Sequence, residues 1–427
     1  EENGARPSHE GRVTFTTPLG LGIHRSELST CRYLLIDDGG YIHPPVVMAM
    51  KAIRYDKDSY MNKSHLRAIF LASLVCVGAS TPAAAAEPRV NLYNWFGLIA
   101  PETPKEFEQK TGAKMHVDTF DSAEVMQSKA MAGRTGYDVV VATSNVLPSL
   151  IQAGVLAPLD RSQLSNYSHL DPEMMALLAI NDPGNLYAVP YLWGTTGIGY
   201  DVDKVKAALG DNAPVDSWDL IFKEENISKL KSCGVAMLDS PSEIISIALH
   251  YLGLPSNSQN PEDYLKAQAL LLKIRPYVLY FDSSRTDADF ADGNICVVVG
   301  WASGALTAQA INEKNNTGRK IAYSLPREGG LVWSENFVLL KDAPHAKEGL
   351  AFINYMLEPQ VIAKSSNHTL YPNANKDATE FVEQKLRDNP WIYPDKNTVA
   401  TLVPLEPLPL KLERIRTRVW TKVKSGT

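Results

Sequence analysis

Short apolar runs alternate with amphipathic segments along the chain from residue 89 onward. Val90–Trp95 reads as a strand, Pro104–Lys110 as a helix stopped by Gly112, Lys114–Asp118 as a strand and Ala123–Ala132 as a helix ending at Gly133. Asp138–Ala142 is a continuous apolar strand of the kind buried on both faces, and a helix over 146–153 follows. Strand and helix in alternation predict a parallel sheet with helices on both sides. The alternation pauses in the extended stretch YAVPYLWGTTGIGY at 187–200 and then restarts. Strands are expected at Val235–Leu238, Val278–Phe281 and Ile295–Gly300, and helices at Glu243–Leu252, Tyr264–Ile274 and Leu306–Glu313. Leu331–Leu340 reads as extended and Ala346–Leu357 as a helix with Leu350, Ile353 and Leu357 on one face. The pattern is two α/β units with a break near residue 192.

The residues before this region follow a different rule. From Met61, a basic head (Lys63, Arg67), an apolar run over 68–79 and the small residues Ala84–Ala86 have the layout of a secretory signal peptide. The run is too short for a permanent membrane span. The export signal is therefore expected over 61–86, with residues 1–60 an upstream extension that is a mis-called start or an appended remnant. Both are set aside from the fold.

Composition narrows the class. The chain has 427 residues, 44% hydrophobic and 21% charged, with a net charge of −6, ordinary values for a globular protein that offer no bulk field for nucleic acid. Past residue 86 only Cys233 and Cys296 remain. In an exported protein they most simply form one disulfide, with two free buried thiols as the alternative. Catalytic signatures are missing: there is no G-x-S-x-G elbow, no P-loop and no histidine pair at metal-ligand spacing, and Gly194–Gly199 lacks the dinucleotide-binding spacing. These absences favour binding over turnover, with no cofactor or metal, at even odds from composition alone.

A series of strings then occurs in one order: YNWFGLIAPET, TFDSAEVMQSKAMAG, YDVVVATSN, GVLAPLDRSQL, YAVPYLWGTTGIGY, LKSCGVAMLD, NICVVVGWASG, SLPREGG and LYPNANKDAT. Over about residues 89–427 the chain resembles the periplasmic putrescine/spermidine-binding proteins that serve ABC transporters. The resemblance implies a two-lobed, type II periplasmic-binding-protein fold, each lobe a mainly parallel sheet flanked by helices, with a hinged cleft between. Lobe 1 is expected over 87–192 plus about 312–360, and lobe 2 over 193–311 plus about 361–427. It further implies a periplasmic monomer that is no enzyme, whose partners are an amine ligand and a permease with its ATPase subunits. A sensor or adaptor role is the alternative to transport.

The resemblance also places the ligand site. A diamine is an apolar rod with an ammonium at each end, so its pocket needs aromatic walls, each cation–π contact contributing about 0.5–2 kcal/mol, and carboxylates for the cations. Trp95, Trp301 and Tyr371 fall at the family's pocket aromatics, and Trp333 stands where the family has Phe. Any one of them alone would more commonly be a core aromatic. Glu243 matches a family glutamate, Glu335 replaces an aspartate, Thr143 stands at a serine position and Ser283 matches a polar lining position. The family's NWSDY-like string reads Asn94-Trp95-Phe96-Gly97-Leu98, and its GWAGD-like string ends in Gly304, so two acids are missing. That gap admits a second ligand class, an ω-amino acid such as 4-aminobutyrate or 5-aminovalerate, whose carboxylate Arg285 could meet, although a solvated surface residue is the more ordinary reading of that arginine. It also leads to the expectation that Gly304→Asp raises affinity for diamines relative to ω-amino acids.

Overall fold

The computed structural model describes residues 87–427; the expected upstream extension and signal peptide lie outside the described residues. Eleven strands form one sheet: β1 (Arg89–Trp95), β2 (Lys114–Phe120), β3 (Val139–Thr143), β4 (Leu156–Ala157), β5 (Ala188–Asp201), β6 (Val235–Met237), β7 (Tyr280–Phe281), β8 (Val297–Trp301), β9 (Ile321–Ser324), β10 (Leu331–Leu340) and β11 (Val403–Pro404). The main path runs β2-β1-β3-β10-β5-β8-β6-β7. At one end β1 pairs parallel with β2 and β3, and at the other β6 pairs parallel with β7 and β8. Each parallel set needs crossover helices, and these cover the sheet faces. All five residues of β3 are buried, as its unbroken apolar run requires.

The long antiparallel pair β5/β10 joins the two parallel sets. Its lower part, Val189↔Phe337 and Ala188↔Val338, lies beside β3, and its upper part, Thr196↔Leu331, lies beside β8. The ladder is regular except for a shift between Glu335 and Asn336, whose partners are Leu192 and Pro190. Gly194 is required within it: a Cβ there would sit 2.7 Å from the Trp333 indole, which packs flat on the backbone.

Local chemistry fixes the element ends. The buried Asp138 carboxylate accepts the backbone N–H of Asn91 at 2.8 Å and of His345 at 2.6 Å, tying β1 and β3 to the start of the helix Ala346–Met356. Ser122 caps the helix Ala123–Ala132 through the Val125 N–H. Cys233 and Cys296 are joined in a disulfide that bridges the approaches to β6 and β8.

Past residue 312 the chain contacts both ends of the sheet in turn. The segment after residue 312 does not pass directly to the first parallel set: β9 pairs with Ile198–Asp201 of β5, beside β8. Past residue 360 the chain splits. The helix Pro359–Thr369 is held to the helix Thr103–Thr111 by Lys364–Glu106, and Asn375 donates to the Leu357 carbonyl at 2.8 Å. The terminal helix Leu410–Ser425 instead lies at the other end, where Trp420 packs on Phe281 of β7 at 4.9 Å.

Candidate ligand-binding site

A cavity of about 300 Å³ opens beside the β5/β10 pair. Trp95, Phe96, Thr143, Glu243, Ser283, Trp301, Trp333, Glu335 and Tyr371, the sequence-derived candidates, all line it. Strand geometry explains the convergence. Trp95 ends β1 and Thr143 ends β3, while Trp301 ends β8, which runs the opposite way, so the C-terminal ends of the two parallel sets face each other along the β5/β10 pair; Glu335 pairs directly with Thr143 across the β3/β10 ladder. Glu243 comes from the first turn of the helix Pro241–Tyr251.

Two buried carboxyls organise the polar part. Glu335 accepts from the Trp95 indole N–H at 2.8 Å and from the Thr143 hydroxyl at 2.7 Å. Glu243 accepts from the Trp301 indole N–H at 3.1 Å and from the Thr196 hydroxyl, which in turn accepts from the Trp333 indole N–H at 3.1 Å. Trp333 meets Trp301 edge-on at 6.1 Å and Tyr371 at 5.4 Å between ring centroids. The indoles therefore do two jobs: their N–H groups orient the acids and their faces wall the cavity. Ser283 lines the wall while its hydroxyl accepts the Asp239 N–H at 3.0 Å. Phe96, 83% exposed, stands at the rim just before Gly97, whose positive φ turns the chain away from β1.

Burial disfavours charge on both acids. Glu335 is pushed up to about 8, chiefly by desolvation, with the Glu243 charge adding to it against the pull of the Thr143 and Trp95 donors. Glu243 is raised for the same leading reason. At neutral pH the ligand-free site thus holds a protonated Glu335, and a cation entering the cavity has to expel that proton. Two consequences follow from the sign of the shift. Because the folded state binds this proton more tightly than the unfolded chain, the stabilising contribution is present at acid pH and lost as pH rises through about 8. Cation affinity should conversely rise between pH 6 and pH 8. Calorimetry at pH 7 in buffers of different ionisation enthalpy is expected to show net proton release on ligand binding; buffer-independent heats would refute the assignment.

The expected acid count needs correction, and Arg285 follows its more ordinary surface reading. The acidic complement is not depleted by half, because Asp121, Glu124, Asp239 and Asp287 also line the cavity. Asp239 is engaged by the terminal helix, through the Trp420 indole N–H at 2.8 Å and the Lys424 ammonium. Arg285 is outside the lining: its guanidinium pairs with Asp289 at 2.7 Å and stacks over Tyr280 at 4.4 Å, so it is not available to a ligand carboxylate. Among the described residues no cluster of side chains is suited to hold a metal ion, and no helix is long and apolar enough to cross a membrane.

Two parallel β-sets joined by long crossing strands, with a polar and aromatic cavity where they meet, define a periplasmic-binding-protein fold. The sequence profile of the bacterial extracellular solute-binding proteins matches residues 103–392, and the chain belongs to that family. It is 62% identical over 362 residues to the putrescine/agmatine-binding protein of Pseudomonas aeruginosa PAO1, covering 84% of this chain and 99% of the relative. It is 47% identical to the putrescine-binding periplasmic protein PotF of Escherichia coli K12, covering 86% of this chain and 99% of the relative. Among solved structures, the spermidine/putrescine ABC transporter substrate-binding protein PotD of Streptococcus pneumoniae superposes with a TM-score of 0.65 at 26% identity, over 79% of this chain and 99% of that one.

Proposed function

We propose that this protein captures a polyamine of the putrescine class in its cavity and delivers it, in the periplasm, to an ABC permease with its ATPase subunits. The observation that carries this reading is the pair of buried carboxyls, Glu335 and Glu243, each oriented by an indole N–H inside an aromatic-walled cavity. An ammonium entering there gains an acid that has no cationic partner and aromatic faces for its methylenes, which is the combination a desolvated alkylamine needs. Such a site recognises and releases its ligand without changing it, so the protein acts as a carrier and not as an enzyme.

The same proposal assigns the lobes. One comprises the β1–β4 set with the helices Ala346–Met356 and Pro359–Thr369, and the other the β6–β9 set with the terminal helix. The chain crosses between them in β5, in β10 and in the segment between Ile392 and Val403. This division moves the residues around 312–330 to the second lobe and those around 361–392 to the first. The lining residues come from both lobes, so ligand contacts favour the closed arrangement.

Calorimetric titration with putrescine, agmatine, spermidine, 4-aminobutyrate and 5-aminovalerate tests the ligand class. Diamines are expected to bind tightest. Tight binding of an ω-amino acid with none of putrescine or agmatine would overturn the reading. The occupied state of Arg285 argues against that outcome.

A further inference from the structure

Asp287 was not singled out by any motif, yet it reaches the cavity from the first turn of the helix Thr286–Asp292. That helix lies against Ala302–Lys314, whose first turn contains Gly304. A Cβ added to Gly304 would overlap Asp287 Oδ1 and lie 2.9 Å from its Cγ and 3.2 Å from Oδ2. The carboxylate of Asp287 therefore fills the space that a side chain at 304 would occupy. The absence of an acid in the 300–304 string and the position of this one are linked: a side chain at 304 would force the Asp287 carboxyl to move from where it stands.

Asp287 also has no cationic partner, and the Thr286 hydroxyl is the side chain that favours its charge. The neighbouring cation, Arg285, is committed to Asp289, and no lysine or arginine of the described residues acts on the Asp287 carboxyl. The side chain opens on the solvent of the cleft and is packed by protein on its other sides, which pushes its carboxyl above the usual range. Its charge, with that of Glu243, adds to the effect of burial in raising the Tyr371 hydroxyl, so Asp287 and Glu243 both act on the Tyr371 side of the cavity. Glu335 instead feels the charge of Glu243 alone among the carboxylates. An unpaired acid thus stands away from the Glu335 pole, close to an aromatic wall.

We propose that Asp287 supplies the carboxylate for the second cationic end of the ligand, a specificity role that rests on the polyamine reading above and that makes the site a receptor for molecules cationic at both ends. The partner group at Asp287 is a primary ammonium or a guanidinium; the planar guanidinium can take both carboxylate oxygens at once. A monocationic amine of equal length gains nothing from this residue.

The test is calorimetry on the full chain with putrescine, agmatine and, by competition, butylamine. Wild-type protein that binds no putrescine would overturn the underlying polyamine reading itself. With wild-type binding established, Asp287→Asn, nearly isosteric, should weaken putrescine and agmatine by about tenfold or more and butylamine by less than about twofold. Gly304→Asp alone should weaken diamine binding, reversing the simple expectation from the missing family acid, because its side chain displaces Asp287. The combination Asp287→Ala with Gly304→Asp removes that clash and should restore diamine affinity to within several fold of wild type. Diamine affinity unchanged in Asp287→Asn, or an equal loss for butylamine and putrescine, would overturn the assignment.

Discussion

Replacing Glu335 with alanine is expected to weaken putrescine binding by about a hundredfold or more. The carboxyl is buried at 4% exposure and is the acceptor of both the Trp95 indole N–H and the Thr143 hydroxyl. Its removal strands an ammonium in a desolvated cavity, a loss of about 3–5 kcal/mol, and each 1.4 kcal/mol is tenfold in the dissociation constant. Two further donors lose their acceptor in the same stroke. The ligand-free protein should not be destabilised in proportion, because an unpaired buried acid is itself unfavourable to folding. Titration of the folded variant decides the matter: a dissociation constant within about threefold of wild type would remove Glu335 from the ligand's partners.

Opening the disulfide should act on stability and leave recognition alone. Cys233 and Cys296 are separated by 63 positions, and closing a loop of that length stabilises by about 4 kcal/mol on the chain-entropy account. The double change Cys233→Ala with Cys296→Ala is therefore expected to lower the melting temperature by on the order of 5–10 °C. Neither cysteine lines the cavity, so putrescine affinity at 25 °C should stay within about twofold of wild type. Differential scanning calorimetry with and without a saturating amine reads both quantities. An unchanged melting temperature would mean that the bridge contributes little beyond the packing of its two sulfurs.

Much of this molecule was legible in its apolar pattern. The extended reading of 331–340 coincides with β10, and 187–200 differs from β5 by one residue at each end. Both segments are long and rich in apolar and aromatic residues, which outweighs the proline and three glycines of 187–200. The terminal helix Leu410–Ser425 was overlooked although Leu412, Arg416, Val419, Trp420 and Val423 recur at helical spacing on its buried face. Its many charged residues disguised the stripe. Long-range partners are harder to read: the helix Pro359–Thr369 is held through Lys364 to Glu106, 258 residues away.

The site divides the same way. Trp95, Trp301, Glu243 and Glu335 sit in distinctive strings, so a resemblance could locate them. Asp121, Glu124 and Asp287 lie at helix starts, where an acid is ordinarily a solvated residue favoured by the helix dipole. Only the folded arrangement turns them toward a cavity. The engagement of Arg285, in contrast, was readable: Asp289 stands four positions on, at the spacing where a helical ion pair forms.

The irregular step in the β5/β10 ladder has a mechanical consequence. A rotation of one lobe on the other has to be absorbed where these strands pass between the sets, and an unpaired residue makes a ladder locally easier to twist. That step falls between Glu335 and Asn336. The irregular step and the proposed ligand acid are thus neighbours on the same strand. On the proposed carrier function, twisting the ladder at this step would shift the Glu335 carboxyl along with the backbone that carries it.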